Sequence, residues 1–194
     1  AVVLEGELLK KWRTPAVPEQ LASQLKRYFP GANLKTVYEA GFSGFVLHRE
    51  LESAGIESIV VNASSIETTV HNRVKTDKRD AFKLATQLAA GRLKGIRVPS
   101  REQEAKRLVT RTRQQLVEER TAVKNKLRMK CHQWRLLDAT DQRRMSQRLM
   151  KEMLERSPSD EFRLVMEAYW QVWQTLEEQI KKLDKELERY RQLK

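Results

Sequence analysis

One cysteine, Cys131, stands in the whole chain, which excludes an intrachain disulfide and any multi-cysteine metal site and suits a reducing compartment. A lone thiol within a helical pattern reads as an apolar packing residue. Histidine is almost as scarce: His48, His71 and His132 stand at no ligand-like spacing from one another or from the cysteine, so a histidine metal centre is not expected. No apolar run approaches the roughly 18 residues a membrane-spanning helix needs. No charged segment followed by an apolar core and a cleavage site opens the chain. These absences lead to an expectation of a soluble, cytoplasmic protein with no membrane partner.

Acidic side chains are outnumbered, 26 against 38 Lys and Arg, and the net charge of +12 with a pI near 10.0 is what a polyanion binder carries. The excess is local. Residues 101–156 hold 16 basic and 8 acidic side chains, whereas residues 157–194 hold 7 and 8, so the middle of the chain is the basic part.

Two patterns divide the sequence. Up to about residue 100, short β-branched stretches alternate with amphipathic ones. Ala1 to Leu4 and Leu8 to Arg13 flank a turn at Gly6, VPEQLASQLKRYF is a helix begun by Pro18, and LKTVYEAG is a strand ending near Glu39. A helix follows over SGFVLHRELESAG, with Ser43 able to cap it and Gly55 able to end it, and then the strand GIESIVVN. Alternation of this kind predicts an α/β layer, in which chemistry gathers at the carboxyl ends of strands. Glu39 falls there.

Beyond residue 100 the pattern is helical. Ser100 and Gln103 form a capping pair for a helix from about Arg101 to Trp134. On it Ala105, Val109, Thr112, Leu116, Val123 and Leu127 share a stripe. Arg111, Arg113, Arg120, Lys124, Arg128 and Lys130 occupy the rest, and this lopsided charge is expected to meet nucleic-acid backbone. A second helical stretch is expected from Asp141 to Arg156, ended by Pro158. Phe162, Met166, Tyr169, Trp173, Leu176, Ile180, Leu183, Leu187 and Tyr190 then alternate by four and three, a coiled-coil seam that predicts oligomerisation, pairing with the preceding long helix, or both. Trp134, Trp170 and Trp173 lie at helical positions that suit core packing.

The chemistry centres on RVKTDKRDAFKLATQLAAG. Asp77 and Asp80 sit at i and i+3 in the first turn of a helix that Thr76 can cap, so both carboxylates share a face. Acids at that position also complement the helix dipole with no further role. With Glu39 they make an oxygen-only donor set suited to Mg²⁺ or Mn²⁺. Lys75, Lys78 and Arg79 surround the pair, as a site handling a phosphodiester requires.

At these residues the sequence resembles a known family. VYEAGFSGFVLHRELESAGIESIVVN followed by RVKTDKRDAFKLA is similar to the amino-terminal domain of the DEDD transposases of bacterial insertion sequences, a RuvC-like family that includes bridge-RNA-guided recombinases. The likeness covers about residues 1 to 130 and is most specific in KTDKRDA. It implies a ribonuclease-H-like mixed sheet with flanking helices over residues 1–100 and a helical, coiled-coil region over 101–194. It further implies that Glu39, Asp77 and Asp80 are metal-binding catalytic acids around two divalent ions. DNA as substrate, a structured guide RNA and a bacterial nucleoid-associated location follow from the same likeness, and the coiled-coil seam adds the expectation of a homo-oligomer, a dimer or higher.

The family's first aspartate, in the opening strand, has no counterpart before Asp77, and its carboxyl-terminal serine-bearing domain has none after the helical repeat. The expectation is therefore a segment of a longer transposase, holding three of four metal ligands and inactive alone. The alternatives are a stand-alone structure-specific nuclease of the same fold, and a non-catalytic coiled-coil adaptor for nucleic acid.

Overall fold

A computed structural model describes residues 1–41, 44–62 and 77–192, the side chains of residues 77 and 78 excepted. The chain divides into two compact units, Ala1–Val98 and Pro99–Lys194.

In the first unit, β1 (Val2–Leu4) and β2 (Glu7–Lys10) form an antiparallel hairpin with Leu4 opposite Glu7. Its two-residue turn places Glu5 at φ +49° and Gly6 at φ +88°. Positive φ at both central positions matches the twist of the flanking strands, and glycine takes the second without strain. Helix α1 (Pro18–Tyr28) begins with Pro in its first turn, where the missing N–H costs nothing, and buries Ala22 and Leu25. Strand β3 (Lys35–Glu39), helix α2 (Val46–Ser53) and strand β4 (Glu57–Val61) follow in order.

Helix α2 starts later than its sequence suggests. Phe45 precedes it without a side-chain cap, and Ser43 lies outside the described residues. The two strands pair parallel from Lys35 opposite Glu57 to Glu39 opposite Val61, and the Ala40 N–H donates to the Val61 carbonyl at 2.8 Å. The result is a β–α–β unit. Ala22, Leu25, Leu51 and Ile56 form its core, with Val2, Trp12, Leu21, Leu34 and Leu47 around them. Helix α3 (Asp77–Ala89) packs against β1 and β3. The chain then returns along β4, where the Ile96 N–H donates to the Val60 carbonyl at 2.7 Å. Gly95 permits this approach, since a Cβ there would lie 2.7 Å from Cγ2 of Ile59.

The second unit is a helical hairpin with a short helix against it. Ser100 closes a capping box with Gln103 at the start of α4 (Arg101–Gln133). Helix α5 (Gln147–Glu155) is capped by Ser146, and α6 (Asp160–Gln192) follows the break at Pro158. Pairing between α4 and α6 is antiparallel: Lys106 lies over the Tyr190 ring, Arg113 meets Asp184, Lys124 lies over Trp173, and Trp134 packs on Phe162. The heptad-like residues of α6 turn inward, with Phe162, Met166, Trp173 and Ile180 buried against α4. On α4 the inward stripe concentrates at Val123, Leu127 and Cys131, while Ala105 is exposed near the start.

Residues 141–146 are not helical, contrary to the pattern that placed them with α5. A local network competes with the helix there. The Asp141 carboxylate accepts from the Arg143 backbone N–H and guanidinium, and the Arg128 guanidinium donates to the backbone carbonyls of Asp141 and Arg143. Among the described residues no helix is long and apolar enough to cross a membrane.

Candidate divalent-metal and nucleic-acid site

Glu39 is the last residue of β3, and parallel pairing puts it level with the last residue of β4. Its side chain is exposed and makes no hydrogen bond or ion pair among the described residues. Asp80 lies in the first turn of α3, the helix that packs against β3; it is half-buried and likewise without a partner there. Asp77 is the first residue of that helix, but its side chain lies outside the described residues, as do Thr76 and Lys75. The Lys78 side chain lies outside them too, and Arg79 is exposed.

Two carboxylates with no partner among the described residues, one at a strand's carboxyl end and one on the neighbouring helix, are the donor chemistry a hard divalent cation takes. Among the described residues, no group of three or more His, Cys, Asp or Glu side chains is assembled closely enough to hold an ion. The three acids are therefore placed on adjoining elements but are not brought together as a described cluster.

The basic residues of α4 fall into two sets. Arg111 is exposed, whereas Arg113 is held by Asp184 at 2.7 Å, with both side chains less than half exposed. Lys124 sits 4.6 Å from the centre of the Trp173 ring, and partial burial holds its ammonium below the usual lysine range. Arg128 spans carbonyls of the 141–143 turn, and the Arg120 Nε is buried without a hydrogen-bond partner among the described residues. Of the positions singled out by charge pattern, Arg113, Lys124 and Arg128 thus contact other parts of the hairpin, while Arg111 is exposed and Lys130 lies near Tyr169. Sequence periodicity could not separate them, because a long cationic side chain can cover apolar surface with its stem.

Lys130 belongs to a feature that the charge pattern alone did not delimit. Asn125, Lys126, Met129, Lys130, Gln133 and Tyr169 line an open groove of about 360 Å³. A signal for it does exist in the sequence: between Glu119 and Asp138 there are six Lys or Arg and no carboxylate. Trp134, expected in the core, is 52% exposed beyond the end of α4, whereas Trp173 is buried as expected and Trp170 donates to Gln147 at 2.6 Å. Cys131 is fully buried, and that burial pushes its thiol up to about 11.

The described residues thus combine a mixed α/β unit, with carboxylates on an adjoining strand and helix, and a basic helical hairpin. Residues 2–133 match the family of IS110-type DEDD transposases, described as "Transposase". The chain belongs to that family of insertion-sequence transposases.

Curated relatives agree. The putative transposase y4qE of Sinorhizobium fredii (strain NBRC 101917 / NGR234) is 46% identical over 81 residues, 42% of this chain and 21% of that protein. From the same organism, putative transposase y4rJ is 38% identical over 110 residues, 53% of this chain and 27% of that protein. The transposase for insertion sequence element IS1533 of Leptospira borgpetersenii is 41% identical over 81 residues, 41% of this chain and 23% of that protein. The chain spans 21% to 27% of the length of these relatives. No solved structure matches it at a significant level.

Proposed function

We propose that these residues are the metal-binding, nucleic-acid-holding portion of a DNA transposase, with a ribonuclease-H-like first unit and a coiled-coil second unit through which copies associate. The observation that carries the reading is Glu39 at the carboxyl end of β3 beside α3, the helix whose first turn holds Asp77 and Asp80. Those three acids would hold Mg²⁺ or Mn²⁺, and the bound ions would supply neutralisation of charge at a scissile phosphodiester. The chain's own task is to present the carboxylates and to place Lys75, Lys78 and Arg79 around the phosphate. A fourth acid and the nucleophilic serine would come from parts of the transposase outside these residues, and a structured guide RNA would select the DNA. Arg111 and its neighbours on α4 would contact backbone phosphate.

Mn²⁺ titration followed by electron paramagnetic resonance tests this reading. Weak binding is expected, lost in Asp77→Asn and in Asp80→Asn and reduced in Glu39→Gln, with helicity unchanged. If all three variants bind Mn²⁺ as the parent does, these acids are not its ligands and Asp77 and Asp80 merely complement the α3 dipole; if the parent binds none, the protein is an adaptor without a metal centre.

A further inference from the structure

We infer that the groove between α4 and α6, lined by Asn125, Lys126, Met129, Lys130, Gln133 and Tyr169, is a binding site for a single-stranded stretch of nucleic acid. The inference rests on the nucleic-acid reading above and moves its main contact in the second unit away from Arg113, Arg120, Lys124 and Arg128.

Lys126 and Lys130 are one helical turn apart and therefore neighbours on one face. Neither forms an ion pair among the described residues, and no acidic residue lies three or four positions to either side of them. Their ammonium groups instead sit 5.9 Å and 5.6 Å from the centre of the Tyr169 ring. A cation over an aromatic ring at an exposed site is weakly held. The ring thus keeps two positive charges together at the groove without neutralising them, and a phosphodiester can draw both off.

The next position along the same face is Trp134, which packs on Phe162 at 5.4 Å yet leaves 52% of its surface exposed. Met129, 58% exposed, lines the groove. An indole and a thioether beside paired ammonium groups offer a surface for an unpaired base next to its phosphate, the combination used to hold single strands. Asn125 and Gln133 add hydrogen-bonding groups that suit sugar or base edges. A duplex hides its base faces, so it would use the charges alone.

The test measures binding of labelled 20-nucleotide single-stranded RNA, single-stranded DNA and duplex DNA to the 194-residue chain across salt concentrations. Lys126→Gln with Lys130→Gln is expected to weaken single-strand binding about tenfold at 0.1 M salt and to flatten the slope of log K against log salt by about 1.4, the share of two phosphates. Trp134→Leu is expected to weaken single-strand binding about fivefold with an unchanged slope. Duplex binding should change less than twofold in Trp134→Leu. Whichever strand, RNA or DNA, binds more tightly and loses more in these variants is the natural occupant.

Unchanged affinity and slope in the double lysine variant, or an equal loss on duplex in Trp134→Leu, overturns the site. If the parent chain binds nucleic acid and only Arg111→Gln weakens it, the groove is wrong while the nucleic-acid reading stands. If the parent chain binds none of the three, both fail.

Discussion

The two units differ in what holds them together. Among the described residues, the helical unit has a continuous cluster of twelve buried residues from Val123 to Trp173, whereas the clustered core around α1 and α2 in the sheet-bearing unit contains four. One long antiparallel helix pair can bury a stripe without help, but two-stranded sheets leave faces and edges to be covered by other elements. The carboxylates sit on the sparsely packed unit, and the robust unit presents the cations. A unit proposed to handle metal and substrate would tolerate loose packing better than one that serves as a support.

Removing a large core residue from each unit would break this comparison most forcefully. Trp173 is buried, donates to Glu177 at 2.7 Å and lies under Lys124. Trp173→Ala should cost about 3–5 kcal/mol. Peptide-resolved hydrogen exchange should show that loss across α4, α5 and α6. Leu51→Ala, in the other core, should cost about 2–5 kcal/mol. Set against the smaller reserve of its unit, the lesser loss should open α1, α2 and β4 more completely. If Trp173→Ala leaves exchange in α6 unchanged, the helical unit is not held by this cluster.

A smaller effect comes from Cys131, whose thiol is held protonated to about 11 by burial while an unfolded chain releases the proton near 9.0. Between those values the unfolded state binds fewer protons, so stability must fall as pH rises from 9 to 11, by on the order of 2 kcal/mol. Lys124 acts with the opposite sign. Desolvation lowers its folded-state value, so below 10.5 the folded protein gives up that proton first and stability gains with pH. Urea midpoints at pH 8.5 and 10.5, compared between the parent and Cys131→Ala, isolate the thiol: the parent should lose more. Equal losses would mean that the thiol reaches solvent.

Ser100 comes next. Its hydroxyl accepts from the Gln103 N–H at 3.1 Å, and the Gln103 side chain accepts from the Ser100 N–H at 3.2 Å. Ser100→Ala should cost about 1 kcal/mol, read as early exchange in the first turn of α4 only. Fraying beyond Lys106 would show that the box anchors more than one turn.

How far these features were legible differs between the units for the same physical reason. Glu5–Gly6, Pro18, Gly55 and Ser100 announce their turns and caps because the cause is local, and the α/β order up to residue 98 follows from them. The inward stripe of α6 is legible because burial leaves a period in the sequence. What was hidden depends on partners far along the chain: Asp184 finds Arg113 71 residues away, and Arg128 finds the 141–143 turn, which is why residues 141–146 are not helical. The candidate acids Glu39, Asp77 and Asp80 were legible as residue types and element ends, and the resemblance to the DEDD family agrees with the family match, but assembly into one cluster is a matter of tertiary distance that spacing does not encode.

The Arg113–Asp184 pair sharpens the comparison at its finest scale, because charge pattern assigned Arg113 to phosphate and geometry assigns it to α6. With side chains 35% and 43% exposed, the pair is screened by solvent, and a double-mutant cycle of Arg113→Leu and Asp184→Leu should give a coupling of about 0.2–1 kcal/mol that shrinks in 1 M salt. The same arginine variant should leave the salt slope of nucleic-acid binding unchanged, since a guanidinium already engaged by a carboxylate releases no counterion from a phosphate. A coupling near zero together with a flatter slope would return Arg113 to the nucleic-acid face. A measurable coupling with an unchanged slope keeps it as a fastener of the hairpin, and leaves the phosphate contacts to residues that α6 does not hold.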